Sequence, residues 1–183
     1  MDHTELSEQL RHRGDLVVPG HLGVAASLVV SGSLVVGGCL YDHGSEGRIV
    51  VDGDLTARAV FSAGDLLVQG DIRADVVCCV SLDPRTTASG TVRARLVLEE
   101  DPSGASVEAA VHVDYDSYLA GWSDGQQGLA ERLRALLVDE VFTDNDGDAE
   151  ARVDRYELFD RLLAGQSVFR SDVASTSTRV GGE

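Results

Sequence analysis

The chain has no lysine, only three cysteines and three prolines, and 5% aromatic residues in 183 positions. Three cysteines in a chain of this length do not make a disulfide framework. Cys39 falls where apolar residues recur, and Cys78 and Cys79 lie in the apolar run 76–80. We therefore expect buried thiols that act as small hydrophobic side chains. Because no other ligand type stands near them at metal-binding spacing, the sequence predicts neither a metal site nor a cofactor.

Long hydrophobic segments are also missing. No run of 18 apolar residues occurs, so no membrane span is predicted. The first residues, Met1-Asp-His-Thr-Glu, lack the basic and apolar regions of a signal peptide. A cytoplasmic location is the expectation.

Motifs of the common catalytic sites do not appear: there is no G-x-S-x-G, Walker loop, H-E-x-x-H or C-x-x-C. The five histidines are scattered, and His43 has the acids Asp42 and Glu46 close in sequence. The sequence therefore favours a binding protein over an enzyme.

Charge is strongly one-sided, with 31 acidic residues against 15 basic ones and a net charge of −16. This balance argues against binding to nucleic acid or to an anionic membrane, and favours a basic protein partner. The acids are concentrated in residues 139–160, where only two arginines accompany nine acids: Asp139, Glu140, Asp144, Asp146, Asp148, Glu150, Asp154, Glu157 and Asp160.

One short phrase occurs five times in the first half of the chain. Apolar and polar residues alternate around a central glycine, which is typical of short strands separated by a corner. The glycines are 12, 21, 17 and 20 residues apart, too irregular for a helical repeat. We predict a mainly β fold, a single-stranded parallel β-helix in which each turn pairs with its neighbours. The five copies are Val18-Pro-Gly20-His-Leu22, Val30-Ser-Gly32-Ser-Leu34, Val51-Asp-Gly53-Asp-Leu55, Val68-Gln-Gly70-Asp-Ile72 and Ala88-Ser-Gly90-Thr-Val92.

The periodicity becomes helical near residue 123. Apolar spacing predicts one helix over 127–142 and a second that opens at the capping box Asp154-Arg-Tyr-Glu157. Tyr156, Phe159, Leu162 and Leu163 are expected to line the apolar side of the second helix, and Gly165 to end it. The predicted units are an N-terminal segment 1–13 with a possible short helical cap, a β-helix 14–118, a C-terminal helical cap 119–170 over the last turn, and a flexible tail 171–183.

The loop between the predicted helices begins like a calcium-binding EF-hand loop. Asp144, Asp146 and Asp148 stand at its positions 1, 3 and 5. However, Ala149 replaces the glycine of position 6 and Arg155 replaces the glutamate of position 12. We assign no metal here, although a calcium-responsive adaptor stays open as a third, weaker hypothesis.

The G-D-[LI]-x-A phrases Gly53–Ala57 and Gly70–Ala74 resemble those of the polymer-forming, bactofilin-like β-helix proteins. The resemblance covers roughly residues 14–113 and implies filaments assembled end to end without nucleotide. The helical segment of about 50 residues departs from that family, whose tails are short. With its ending Leu162-Leu-Ala-Gly165, the chain is also similar to small bacterial proteins found beside polymorphic toxins, which implies an immunity protein.

Two functions follow as expectations. The first is a non-enzymatic immunity or inhibitor protein, a monomer or dimer that occludes a basic toxin or effector domain. The second is a self-assembling scaffold of the bactofilin type. The expected contacts for a partner lie in the loop 41–47 and the acidic segment: Tyr41, Asp42, His43, Glu46, Asp139, Glu140, Asp144, Asp146, Asp148 and Glu150.

Overall fold

The computed structural model describes residues 2–42, 44, 47–79, 86–99, 105–114, 128–143 and 152–171. Sixteen strands wind in parallel into a β-helix, as the repeat predicts. Five successive turns contribute three strands each, and β16 follows them. The strands are β1 His3–Leu6, β2 Leu10–His12, β3 Leu16–Val18, β4 His21–Val24, β5 Ser27–Val30, β6 Leu34–Val36, β7 Cys39–Asp42, β8 Arg48–Val51, β9 Leu55–Thr56, β10 Ala59–Ser62, β11 Asp65–Val68, β12 Ile72–Arg73, β13 Val76–Cys79, β14 Thr86–Ala88, β15 Thr91–Glu99 and β16 Ser106–Asp114.

The β-helix has three faces. The first face stacks β1, β4, β7, β10 and β13, the second stacks β2, β5, β8, β11 and β14, and the third stacks β3, β6, β9 and β12. Strands β15 and β16 are long because each runs from the third face round into the first without a break. Every described pair between turns is parallel, so the same side-chain positions recur above one another.

Aliphatic side chains fill the interior. Leu28, Ile49 and Leu66 stack along the second face in equivalent positions of successive turns. Leu34, Leu55 and Ile72 do the same along the third face, and all six are fully buried. Burying one such side chain stabilises the fold by about 1.5–3 kcal/mol. The alternation of apolar and polar residues in the repeat thus reports which side chains face inward.

The repeated glycine is required by close contact between turns. A Cβ atom on Gly70 would lie 2.8 Å from the carbonyl oxygen of Gly53 and 2.2 Å from Oδ1 of Asp54, both in the preceding turn. Gly70 does not have a positive φ, so the left-handed region is not the reason for glycine here. The corners can stack at the spacing of a β-sheet only because no side chain stands between them.

The residue after each glycine forms a hydrogen-bond ladder along the corner. The Oδ1 atom of Asp54 accepts from the backbone N–H of Asp71 at 2.9 Å, and Oδ1 of Asp71 accepts from that of Thr91 at 2.9 Å. In the same way, Oδ1 of Asp15 accepts from the backbone N–H of Ser33, and the Ser33 hydroxyl oxygen accepts from the backbone N–H of Asp54. These backbone donors, followed by the arginines Arg73 and Arg93 respectively, lower the pKa of Asp54 and Asp71. The aspartate of the G-D phrase therefore has a structural role.

The structure corrects the register of the first repeat copy. Leu16 pairs with Leu34, so the first-turn equivalent of the phrase is His12-Arg13-Gly14-Asp15-Leu16. Val18-Pro-Gly20-His-Leu22 instead spans the corner between the third and first faces. His12 stands in place of the apolar first residue of the phrase, which hid the true copy.

The N-terminal segment 1–13 does not form the possible helix over the end of the β-helix. Residues 3–6 and 10–12 are strands β1 and β2, which pair with β4 and β5. Leu6 and Leu10 are four residues apart. This spacing fits one side of a helix, but it also fits inward positions on two successive strands, β1 and β2. Pairing prevails because the edge of the second turn offers these residues a row of backbone hydrogen-bond partners.

The C-terminal part contains two short helices, α1 Leu129–Leu136 and α2 Arg155–Leu163. A 3₁₀ turn Asp139–Val141 and an antiparallel pair, β17 Phe142–Thr143 with β18 Arg152–Val153, lie between them. The Asp154 half of the predicted capping box is confirmed, since Asp154 accepts from the N–H groups of Tyr156 and Glu157. The N–H of Asp154 donates to the Val141 carbonyl oxygen and not to Glu157. The first helix ends at Leu136, earlier than the predicted residue 142. Neither described helix is long and apolar enough to span a membrane.

The described helices pack on the side of the β-helix, whereas the sequence predicts that they cover its last turn. Leu133, Leu136, Leu158 and Leu162 are buried against the outer side chains of the first face. The strands of that face are buried on both sides: their outer contacts include Cys39, Ala59, Val76, Leu96, Val111 and Val113. An apolar outer surface on the first face, spanning several turns, attracts the helices more strongly than the narrow end of one turn.

A pair of substitutions on β9 tests which side chains face inward. Leu55→Asp places an unpaired charge in the interior. We expect the free energy of unfolding to fall by at least about 3 kcal/mol, which lowers the melting temperature by roughly 6–12 °C. Thr56→Asp, on the exposed side of the same strand, should change the melting temperature little. Thermal unfolding followed by circular dichroism checks both. Equal melting temperatures for the two variants would show that the inward assignment of Leu55 is wrong.

Candidate functional site

Tyr41 lies on the outer side of the first face. Its ring packs edge-on against Phe159 of α2, with 5.2 Å between centroids, and its hydroxyl is 2.9 Å from Nε2 of His3. Burial raises the pKa of Tyr41, and the nearby carboxylate of Glu5 raises it further. The side chain joins the first turn, the third turn and α2, which gives it a structural role at the base of the expected contact loop.

Asp42 ends β7 and is buried at the corner where the loop 43–47 begins. Its carboxylate accepts from the Ser62 hydroxyl at 2.6 Å, the Ala63 N–H at 2.9 Å and the Gly44 N–H at 3.2 Å. Three donors satisfy this buried charge within the fold. Asp42 thus anchors the loop to the next turn, and the other expected contacts in this loop, His43 and Glu46, lie outside the described residues.

The structure describes residues 139–143 and 152–160 of the acidic segment. Asp139 and Glu140 begin the 3₁₀ turn and are exposed, and the carboxylate of Asp139 contacts the Arg170 guanidinium. The next residue, Val141, is fully buried and fixes the turn on the helical part. The remaining expected contacts lie outside the described residues: Asp144, Asp146, Asp148 and Glu150.

A cleft of about 220 Å³ opens between the first face and the first turns of α2. Its floor contains Tyr41, Phe61 and Cys78, which are stacked in three successive turns. Phe159 forms a wall and lies 4.4 Å from Phe61 between ring centroids. Tyr156, at the rim, is 70% exposed. The cleft is therefore a rigid aromatic surface at the junction of the β-helix and the helices.

The cysteines are free and buried, as the sequence predicts. Burial raises the pKa of the Cys39 thiol to about 11, so this thiol is not an activated nucleophile at neutral pH. Within the described ranges, no group of three or more His, Cys, Asp and Glu side chains is arranged to hold a metal ion.

The C-terminal end of α2 docks on the corner beside His21. Arg58 donates from Nη2 to the carbonyl oxygens of Gln166 at 2.7 Å and Gly165 at 3.4 Å. His21 is buried, and its Nδ1 accepts from the backbone N–H of Cys39 at 3.0 Å. Burial is the main cause that lowers the pKa of His21. Nearby positive charge, including that of Arg58, lowers it further, while the Leu163 carbonyl acts in the opposite direction.

The cleft combines residues that the sequence placed in different roles. Tyr156 and Phe159 are expected on the apolar side of α2, but Tyr156 is exposed and Leu158 takes the buried position. Phe61 gives no functional signal in the sequence.

Comparisons of the chain with protein-family models, with curated proteins and with solved structures gave no match.

Protonation of His21 should weaken the folded state in mild acid. The unfolded residue takes up a proton near its ordinary pKa of 6.5, whereas the folded residue does so only at lower pH. Its contribution to stability is therefore complete above about pH 6.5 and decreases as the pH falls through this value. We expect His21→Asn, whose amide oxygen can still accept from Cys39, to reduce the loss of unfolding free energy between pH 7.5 and 5.5. Urea unfolding at several pH values measures this free energy for both proteins.

His12→Asn is the matched control, because His12 is half-buried and its Nε2 bonds the Asp15 carbonyl on the open first turn. If the free energy of unfolding depends on pH identically in His21→Asn and in the unsubstituted protein, His21 is not the cause of the loss of stability in mild acid.

Proposed function

We propose that the chain is a non-enzymatic acidic binding protein, most simply an immunity or inhibitor protein that occludes a basic toxin or effector domain in the cytoplasm. The observation that supports this is the exposed pair Asp139 and Glu140 on an anchored turn, directly before four more acids in sequence. Exposed carboxylates on an anchored turn suit a basic partner.

The physics of association favours this role. With a net charge of −16, the chain attracts a basic protein over long range and increases its association rate. The β-helix holds its surfaces in fixed positions through backbone pairing between turns, so little conformational entropy is lost on binding. An inhibitor needs these two properties and no catalytic group.

Charge reversal tests the proposal. Replacing Asp139, Glu140, Asp144, Asp146, Asp148 and Glu150 by arginine should weaken the binding of a basic protein that the unsubstituted chain binds by at least about 100-fold at low salt. The salt dependence of the dissociation constant should also decrease. The melting temperature should stay close to that of the unsubstituted protein, because Asp139 and Glu140 are exposed and all six acids lie outside the β-helix repeat in sequence.

The control reverses Glu8 and Asp52, two exposed acids on the β-helix away from the helical segment. If the six-residue variant and the Glu8 and Asp52 control bind the basic protein with equal affinity, residues 139–150 are not the contact surface.

A second candidate is a scaffold that assembles through the ends of the β-helix. Its supporting observation is the open first turn: within the described strands, β1, β2 and β3 each pair along one edge only. Leu10, an inward position of that turn, is 36% exposed, and Val17 on the same turn is 68% exposed. Unpaired edges with apolar residues are surfaces on which another strand can pair.

Assembly state separates the two candidates. Light scattering behind a sizing column, at several protein concentrations and with calcium or chelator, should give one small species if the chain is an inhibitor. Growth of the mass with concentration would favour the scaffold, and Leu10→Glu should then reduce that growth by placing a charge on the open end. A mass that changes on addition of calcium alone would favour the calcium-responsive adaptor.

A further inference from the structure

We infer that two copies of the chain associate weakly through the outer side of the second face, about a two-fold axis parallel to the β-helix axis. The helices pack on the first face, so a contact through the second face leaves them free. The outer side chains of the second face carry a pattern that is complementary to itself. This inference goes beyond the proposed function and does not depend on it.

An apolar row runs along the outer side of the second face. It consists of Val29, Val50 and Leu67, which occupy equivalent positions in three successive turns. These side chains are partly exposed and belong to neither hydrophobic core of the described residues. On the third face, the third and fourth turns place the exposed polar residues Thr56 and Arg73 in the outer position. Because strand propensity favours threonine as well as valine and does not favour leucine, a contact with another apolar surface explains the row better.

Opposite charges flank the apolar row at equal distances. Arg48 lies two residues before Val50 and Asp52 lies two residues after it, each about 6.6 Å away along the strand. The backbone N–H of Asp52 still donates to the Val30 carbonyl oxygen of the preceding turn, at 2.9 Å, so Asp52 continues the pairing of the face. Arg48 and Asp52 are exposed, and neither forms an ion pair with another described residue. Both charges are therefore available to a second molecule.

A two-fold axis above Val50 and parallel to the β-helix axis makes the face match itself. Such an axis keeps equivalent turns opposite one another and exchanges the two sides of the apolar row. Arg48 of each copy then faces Asp52 of the other, and the two apolar rows meet between these pairs. In the fourth turn, Asp65 faces the Gln69 amide of the second copy, which can donate to a carboxylate. Apolar contact and charge complementarity thus select the same occupant, a second copy of this chain.

The alternative two-fold arrangement brings like charges together. An axis parallel to the strands reverses the order of the turns and leaves the two sides of the apolar row where they are. Arg48 would then face Arg48 of the second copy, and Asp52 would face Asp52. Like charges in an interface are unfavourable, so the charge pattern selects the first arrangement.

Arg11 limits the size of the contact. It is exposed and continues the apolar row into the first turn, where it lies beside Val29 in register. Since Arg11 would face its own equivalent, the contact comprises the second to fourth turns. Three turns with four-residue strands form a small interface, of the class below about 1,200 Å² that is typical of weak association. We expect a dissociation constant on the order of 10–100 µM.

Sedimentation equilibrium of the full-length protein tests the inference. The mass should rise from one chain to two as the concentration passes the order of 10–100 µM, and it should not exceed two chains. Val50→Glu places a charge in the middle of the apolar row and should abolish the dimer. The matched control is Val35→Glu on the outer side of the third face, where Val35 is 39% exposed, and it should keep the dimer.

Three outcomes would overturn the inference. The first is the mass of a single chain at every concentration up to about 1 mM. The second is a dimer that Val50→Glu leaves intact. The third is association that Leu10→Glu removes and Val50→Glu does not, because the chains would then meet through the open first turn, as the scaffold function requires.

Charge exchange tests the two-fold arrangement. Arg48→Glu places acids on both sides of the apolar row, and Asp52→Arg places bases there, so each variant alone should dimerise at least about tenfold more weakly. The double variant restores opposite charges and should dimerise like the unsubstituted protein. An equimolar mixture of the two single variants should also dimerise, since the acidic sides of one chain face the basic sides of the other. If both single variants dimerise normally, or if the double variant stays as weak as they are, the proposed arrangement is wrong.

Discussion

Stacking of equivalent positions between turns is the constraint on which this structure depends. Parallel pairing places Leu34, Leu55 and Ile72 above one another, so each turn buries its inward side chains only if its neighbours do the same. This explains the sequence repeat without any reference to function. It also explains why a corner glycine such as Gly70 matters: a Cβ atom there would lie 2.8 Å from the Gly53 carbonyl oxygen of the neighbouring turn.

The first face differs from the other two because both of its sides are buried. Its inward side chains belong to the β-helix interior, and its outward ones form a second core with α1 and α2. The helices are short, and most of their stability comes from this tertiary contact. The face that anchors the helices also supplies Tyr41, Phe61 and Cys78 to the cleft.

Several polar residues that attract a functional interpretation have structural partners. Asp54 and Asp71 satisfy backbone N–H groups at the corners, and Asp42 secures a loop to the next turn. Asp54 forms an ion pair with Arg73, and Asp71 forms ion pairs with Arg73 and Arg93, so these two acids add little net charge to the third face. The acids that stay available for a basic partner are exposed ones such as Glu140 and Glu157.

The sequence by itself determined the β-helix, the inward positions of the repeat, the buried thiols and the cap of α2. All of these depend on local patterns: alternation, glycine at corners, and a carboxylate before a helix. Only the tertiary structure decided that residues 3–12 are strands, that Gly14-Asp15-Leu16 is the first repeat copy, and that the helices cover a side of the β-helix. The cleft belongs to this second group, because Tyr41, Phe61 and Phe159 meet through contacts between turns and between distant segments. Such contacts depend on the outer surface of the folded β-helix, which no local pattern specifies.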